Sequence, residues 1–121
     1  MSVRAPIDGV DVEEGLLRLG DPALYETLLR QFVTSFRDAA ERVRAALERG
    51  DREAAADVAH AVRGVSGNLA VNEVRAAATL LEQLLRGEAT ADTAGVVDAL
   101  ESALARAVSG IDRALGTEGD V

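Results

Sequence analysis

The stretch DVAHAVRGVSGNL, residues 57–69, indicates the fold class and carries the single histidine of the chain. Its larger apolar residues recur at i, i+4, i+7 and i+11, the spacing of one buried stripe on an α-helix. At about 100° per residue, His60 lies on the opposite side of that helix from the centre of the stripe. We therefore expect His60 to face solvent. The predicted stripe consists of Val58, Val62, Val65 and Leu69.

Small residues surround His60 on its own face of the predicted helix. Ala56, Gly64 and Gly67 leave the backbone nearly bare there, and Arg63 lies one turn away. A glycine inside a helix costs about 1 kcal/mol of stability relative to alanine, so two glycines beside the imidazole indicate a need for space. The alternative is that these glycines mark a fraying helix end, and their position alone does not decide between the two.

Composition limits the classes of function. The chain has 121 residues, enough for one domain with a real core. Its 48% hydrophobic and 2% aromatic content predicts closely packed helices built from Leu, Val and Ala. A net charge of -8 argues against binding to nucleic acid or to an anionic membrane. There is no cysteine, which excludes thiolate zinc sites and disulfides. With no apolar run of the roughly 20 residues that a membrane helix needs, we expect a cytoplasmic protein.

Capping residues and apolar periodicity predict a series of helices. Asp21-Pro22 is a strong start signal, because an aspartate N-cap is followed by proline at the first helical position. Asp51, Asn72 and Asp92 are expected to cap the later helices. After an N-terminal arm over residues 1–11, the predicted helices run from Val12 to Leu19, from Pro22 to about Arg49, from Arg52 to about Asn68, from Asn72 to Gly87, and from Asp92 to about Leu115.

This pattern predicts an all-α fold. We expect an antiparallel four-helix bundle with up-down-up-down topology, and a short extra N-terminal helix packed across one end. No segment alternates with the period of a β-strand. Residues 1–121 are expected to form a single domain, with residues 116–121 as a loose tail.

Few reactions are open to His60. The sequence has no phosphate-binding glycine motif and no second histidine for a metal site, and Ser66 is expected near the buried side of the helix, away from His60. Glu53 and Asp57 could hydrogen-bond the imidazole, although a solvated acidic face is the simpler interpretation. A general base would need a concave pocket, which a histidine on the convex face of a bundle lacks.

An exposed imidazole can still act as a nucleophile when a partner supplies the electrophile, the metal and the surrounding pocket. Phosphoryl transfer fits this division, because its catalysis consists mainly of positioning and charge neutralisation. Arg63, three residues after His60, could reach the oxygens of a phosphorylated imidazole. It could equally be an ordinary surface arginine.

The stretch from Ala59 to Leu69 resembles the signature of histidine-containing phosphotransfer (HPt) domains, in which an apolar residue, a Lys-Gly pair and then small residues follow the histidine. The segment from Asp21 to Phe32 is similar to the helix that precedes this signature. Leu81-Glu82 matches a pair common in the family. The resemblance extends from about Ile7 to Gly87.

The resemblance implies a phosphorelay module with neither kinase activity nor a nucleotide site of its own. In the family, the histidine takes a phosphoryl group from a receiver-domain aspartate and passes it to another receiver. Carried over to this chain, His60 is the phosphorylated residue and Arg63 replaces the usual lysine at the phosphate. Gly64, together with Gly67 and Ala56, would give the receiver access.

The resemblance also defines the expected partners. They are receiver domains of response regulators or hybrid histidine kinases. Because the receiver supplies Mg²⁺, the module needs no cofactor of its own. We expect the module to be a monomer. Ala70 stands where many members of the family have glycine, which could alter the loop after the helix that carries His60.

Three other interpretations compete with this one. Histidine kinase dimerisation helices usually place an acidic residue directly after the histidine and a proline soon after, whereas here Ala61 follows His60 and the prolines are Pro6 and Pro22. The leading alternative is a non-catalytic helical adaptor that binds a signalling partner without phosphorylation. The third is an enzyme that uses His60 as a base.

Overall fold

Six helices joined by short turns form the part of the chain that the structure describes. The computed structural model describes residues 6–116, and the predicted loose tail lies outside this range apart from its first residue. Within it, the one extended pairing is an isolated bridge between Ile7 and Val10. The helices are α1 (Val12–Leu19), α2 (Pro22–Phe36), α3 (Ala39–Glu48), α4 (Arg52–Leu69), α5 (Asn72–Leu85) and α6 (Thr93–Leu115).

Aspartate caps begin α2 and α4 as the sequence predicts. The Asp21 carboxylate accepts hydrogen bonds from the N–H groups of Ala23 and Leu24, and the Asp51 carboxylate accepts one from Ala54. Each bond satisfies a backbone donor that has no partner inside the helix. These two helix starts are confirmed.

The single long helix predicted from Pro22 to about Arg49 is wrong, because the chain turns at residues 37–38 and forms α2 and α3 instead. The Arg42 guanidinium donates to the carbonyl oxygen of Ser35 at 2.8 Å and to the Asp38 carboxylate at 3.1 Å. A side chain that takes a helix carbonyl replaces part of the backbone ladder, which favours an interruption there. The apolar periodicity of the sequence continues across residues 37–38, so it does not predict this turn.

The start of α5 also differs slightly from the prediction. Asn72 is its first residue, and Val71 is the N-cap. The Asn72 side-chain amide donates to the Glu14 carboxylate of α1 at 3.2 Å. Asn72 therefore links two helices instead of capping one.

The core is aliphatic, as the composition predicts, and α4 is central to it. α4 packs against α3 and α5, and also against α1 and α2, while α6 packs against α2, α3 and α5. Most of the buried side chains are valine, leucine or alanine, which permit close packing of the helices. The largest fully buried side chains include Tyr25, Leu29, Phe32, Val62, Leu69, Leu81, Leu100 and Ile111.

The described end of the predicted N-terminal arm is anchored to the helices. Ile7 is buried in the core, and the N–H of Asp11 donates to the carbonyl oxygen of Ala70 at 2.9 Å. The arm predicted over residues 1–11 is therefore part of the packed structure from Ile7 onward. Its first five residues lie outside the described range.

Tyr25 connects α2 to the end of the helix that carries His60. Its side chain is fully buried, and its hydroxyl donates to the carbonyl oxygen of Leu69 at 2.7 Å. Burial, with the nearby carboxylates of Asp11 and Glu14, raises the pKa of Tyr25 to about 12, so the hydroxyl keeps its proton. The ring also lies so close to Gly15 that any side chain there would clash with it.

We predict that Tyr25→Phe lowers the free energy of unfolding by about 1–2 kcal/mol, because the buried carbonyl of Leu69 loses a hydrogen bond. Chemical denaturation measures the effect. Thr27→Val is the matched control, because it removes a hydroxyl that bonds Ala23 on the exposed side of the same helix; it should change stability by no more than about 0.5 kcal/mol. Equal losses in the two variants would contradict the assignment to the Leu69 bond.

Candidate functional site

The sequence of α4 places His60 on its exposed side. The side chain of His60 is 66% exposed, which confirms its predicted orientation. Val65, by contrast, was predicted to lie in the buried stripe, but the residue is 37% exposed, so this part of the prediction is wrong. The buried stripe consists mainly of small residues. Alanine and serine contribute little to the apolar pattern of a sequence, so the pattern does not show that neighbouring helices pack closely against them. The buried residues of α4 are Ala55, Ala56, Ala59, Val62, Ser66 and Leu69.

Glu82 is the carboxylate partner of His60, and it comes from α5. Its Oε2 lies 2.9 Å from Nδ1 of the imidazole, and its side chain is only 8% exposed. Glu53 and Asp57, the partners considered from the sequence, do not fill this role; Asp57 lies 3.5 Å from Arg86 instead. Sequence reasoning noted Glu82 only through the family resemblance, because helical spacing reveals neighbours within one helix and not across two.

Two arginines bind the same carboxylate. Nη1 of Arg63 donates to Oε1 of Glu82 at 2.9 Å, and Nε of Arg86 donates to Oε2 at 3.0 Å. Burial acts to raise the pKa of Glu82, but the hydrogen bonds from Arg86, Arg63 and His60 outweigh it and hold that pKa below its ordinary value. Glu82 is therefore an anion near neutral pH.

The ionised Glu82 determines which nitrogen of the imidazole carries the proton. A carboxylate can only accept hydrogen bonds, so the contact with Oε2 requires a proton on Nδ1. In the neutral ring the lone pair is then on Nε2. Because Nδ1 is occupied by α5, Nε2 is the nitrogen that an approaching molecule can reach.

The small residues around His60 differ in accessibility. Gly64 is exposed, and a Cβ added there would meet nothing within 4 Å. A Cβ at Gly67 would lie 3.1 Å from Cδ of Arg75, so this glycine is partly covered by an α5 side chain. Ala56 is 1% exposed, and its predicted place on the accessible surface is wrong: α4 packs closely enough against its neighbours to bury the methyl group.

Arg63 lies beside the imidazole, as predicted, but its guanidinium binds Glu82. Its side chain remains 48% exposed. Among residues 6–116 it uses one nitrogen, Nη1, for a hydrogen bond. Its other donors have no acceptor among those residues.

His60 lies on the exposed side of α4, and the best-formed cavities among residues 6–116 are lined by other residues. A groove lies between residues 6–11 and α1, and His60 does not line it. The described residues contain no group of three or more His, Asp or Glu side chains that could hold a metal ion. None of the helices between residues 6 and 116 has the length and apolarity needed to span a bilayer.

We predict that Glu82→Gln destabilises the protein by about 1–3 kcal/mol near neutral pH, because two arginines lose their shared anion. The pKa of Glu82 is lower in the folded than in the unfolded protein, so this stabilisation is present above the ordinary value of 4.5 and is lost as pH falls through the folded value. Unfolding free energies measured between pH 7 and pH 3 should converge for the two proteins. A constant difference across that range would contradict the prediction.

Comparison with known proteins assigns a family to this arrangement. A family model described as Hpt domain matches residues 27–110, well over half of the chain. The matched range contains all of α4 and α5, and with them His60, Arg63 and Glu82. No curated protein and no solved structure matches the chain.

Proposed function

Because this chain belongs to the histidine-containing phosphotransfer domain family, we propose that it carries a phosphoryl group on His60 between the aspartates of receiver domains in a multi-step phosphorelay. Domains of this family are phosphocarrier modules of two-component signalling, not kinases. The partners in the proposal are receiver domains of response regulators or hybrid histidine kinases. The module acts as a cytoplasmic monomer.

The observation that carries this proposal is the hydrogen bond between His60 and Glu82. It keeps the proton on Nδ1 and leaves the lone pair on Nε2 of a side chain that is 66% exposed. A nucleophile needs such a lone pair, and a fixed tautomer removes the need to move a proton before attack. Without Glu82, the ring could turn or carry its proton on Nε2.

The proposed transfer needs no added acid or base. The Nε2 lone pair forms a bond to phosphorus, the bond between phosphorus and the aspartate oxygen breaks, and the aspartate leaves with that electron pair. The Nδ1 proton stays in place, so the ring gains positive charge, which the Glu82 carboxylate stabilises at 2.9 Å. Reversal of the same step on a second receiver returns the electron pair to Nε2.

Arg63 and Gly64 support the same step in different ways. The unused donors of Arg63 can bind phosphoryl oxygens, with planar geometry instead of the point charge of the usual lysine. Gly64 leaves open space on the side from which a receiver would approach. In the proposal, Mg²⁺ and the acidic pocket belong to the receiver, and this chain holds no cofactor of its own.

The helix contacts support the four-helix arrangement expected from the sequence. α2 and α3 together occupy the place of the first long helix, and α4, α5 and α6 supply the other three. Short turns between α3 and α4 and between α4 and α5 favour antiparallel neighbours. We therefore include the up-down-up-down bundle, formed by the chain as one domain, in the proposal.

Phosphorus NMR tests the proposal. The protein is mixed with Mg²⁺ and a receiver domain that has been charged with acetyl phosphate and freed of excess reagent. The proposal expects a phosphoramidate signal on this chain that disappears in acid. The adaptor alternative expects binding to the receiver without that signal, and such a result would overturn the relay.

A further inference from the structure

Glu82 is bound by three donors that share its two oxygens unequally. Oε1 accepts from Arg63, while Oε2 accepts from both Arg86 and Nδ1 of His60. The oxygen that fixes the imidazole is thus the one that Arg86 holds. Arg86 has no part in the signature around His60, and sequence reasoning did not single it out.

The two arginines are anchored differently. Arg86 is the C-cap residue of α5, four residues after Glu82, and it also donates to Asp57 of α4 at 3.5 Å, so it links the end of α5 to α4. Arg63 lies on α4, one turn from His60, and its described contact is a single bond to Glu82. The Arg63 side chain is also more exposed than that of Arg86, 48% against 37%.

A phosphoryl group on Nε2 would compete with Glu82 for Arg63. It carries up to two negative charges and three acceptor oxygens, and a charge-assisted bond to it forms readily. Departure of Arg63 would remove one of the two arginine cations from a carboxylate that is 8% exposed. A poorly solvated anion that loses its cation is strongly destabilised, unless a second cation stays in place.

We propose that Arg86 is a positioning residue for phosphoryl transfer: it keeps Oε2 of Glu82 on Nδ1 of His60 while Arg63 turns from Glu82 to the phosphoryl oxygens. This inference rests on the proposed function for its catalytic consequence. Its structural part, control of the His60 tautomer through Glu82, concerns the protein without a partner. The two parts can therefore be tested separately.

Nitrogen-15 NMR of the imidazole tests the structural part. Because the chain has one histidine, every ring signal belongs to His60. In the wild type at neutral pH, the neutral ring should show a proton on Nδ1 and a bare Nε2. Arg86→Gln should shift the ring toward the Nε2-protonated tautomer, and Arg86→Lys, which retains the charge, should restore part of the wild-type spectrum.

Two further variants separate the role of Arg86 from the general effect of losing a surface ion pair. Arg18→Gln removes the same kind of pair, an arginine one turn after Glu14 on α1, and should leave the His60 spectrum unchanged. Asp57→Asn weakens the other contact of Arg86 and should have a smaller effect than Arg86→Gln. Thermal midpoints confirm that each variant is folded. An unchanged tautomer in Arg86→Gln would overturn the proposal.

Transfer kinetics test the catalytic part. The rate from a phosphorylated receiver to Arg86→Gln should fall about 10–100-fold, by analogy with the loss seen when the partner that orients a metal-binding imidazole is removed, and the Arg18→Gln rate should equal that of the wild type. A wild-type rate in Arg86→Gln would overturn the link to transfer. If the wild type itself accepts no phosphoryl group, the proposed function fails, whereas the tautomer measurement still decides the role of Arg86.

Discussion

His60→Gln is expected to abolish phosphorylation of this protein. The variant keeps a polar side chain of similar length but has no nitrogen lone pair that can attack phosphorus. The measurement is transfer of label from a phosphorylated receiver in the presence of Mg²⁺, followed by acid treatment. Wild type should carry an acid-labile label, and the variant none.

The contacts of His60 indicate that the His60→Gln variant should remain folded. His60 is one of three donors to Glu82, and Arg63 and Arg86 remain in the variant. The free energy of unfolding should therefore change by about 1 kcal/mol or less, so a loss of label cannot be attributed to unfolding. Wild type incubated with ATP alone should stay unlabelled, since no kinase activity is expected. Label retained in His60→Gln would exclude His60 as the acceptor.

The starts of α2 and α4 and the outward direction of His60 could be predicted from sequence because they depend on local rules. Asp21, Asp51 and the residues that follow them satisfy helix donors within a few positions. The angle of His60 follows from the geometry of a single helix. Such features need no knowledge of what packs against the helix.

The features that the sequence did not reveal all depend on a second helix. Glu82 meets His60 across the contact between α4 and α5, and Ala56 is buried because neighbouring helices cover it. At the break near Asp38, the side chain of Arg42 on α3 reaches back to the carbonyl oxygen of Ser35 on α2. The hydrogen-bond partners of long, flexible side chains such as arginine do not follow from the periodicity of a sequence, so they become known only from the structure.

The second large effect is expected at Gly64. Gly64→Leu places a branched side chain one turn from His60, on the face that a receiver must approach. A Cβ at this position meets no atom within 4 Å, so the new side chain has open space on the exposed face of α4. Displacement of reacting groups by about 1 Å can cost about 100-fold in rate, and we expect transfer to Gly64→Leu to slow by at least that factor.

Stability should change in the opposite direction. Replacement of a glycine inside a helix by alanine or leucine raises helix stability by up to about 1 kcal/mol, and a Cβ at Gly64 meets no atom within 4 Å. Gly64→Ala should therefore be more stable than wild type and intermediate in rate. Ala99→Leu is the control, because it adds similar bulk on an exposed position of α6; it should leave the transfer rate unchanged.

Rate and thermal midpoint together decide what Gly64 does. A slow, stable Gly64→Leu variant means that the partner, and not the fold, requires the missing side chain, since an internal packing role would lower the midpoint as well. Equal rates for wild type, Gly64→Ala and Gly64→Leu would show that the receiver does not pass over this position. In that case a partner would have to reach Nε2 of His60 from another side, and the approach over Gly64 would be wrong.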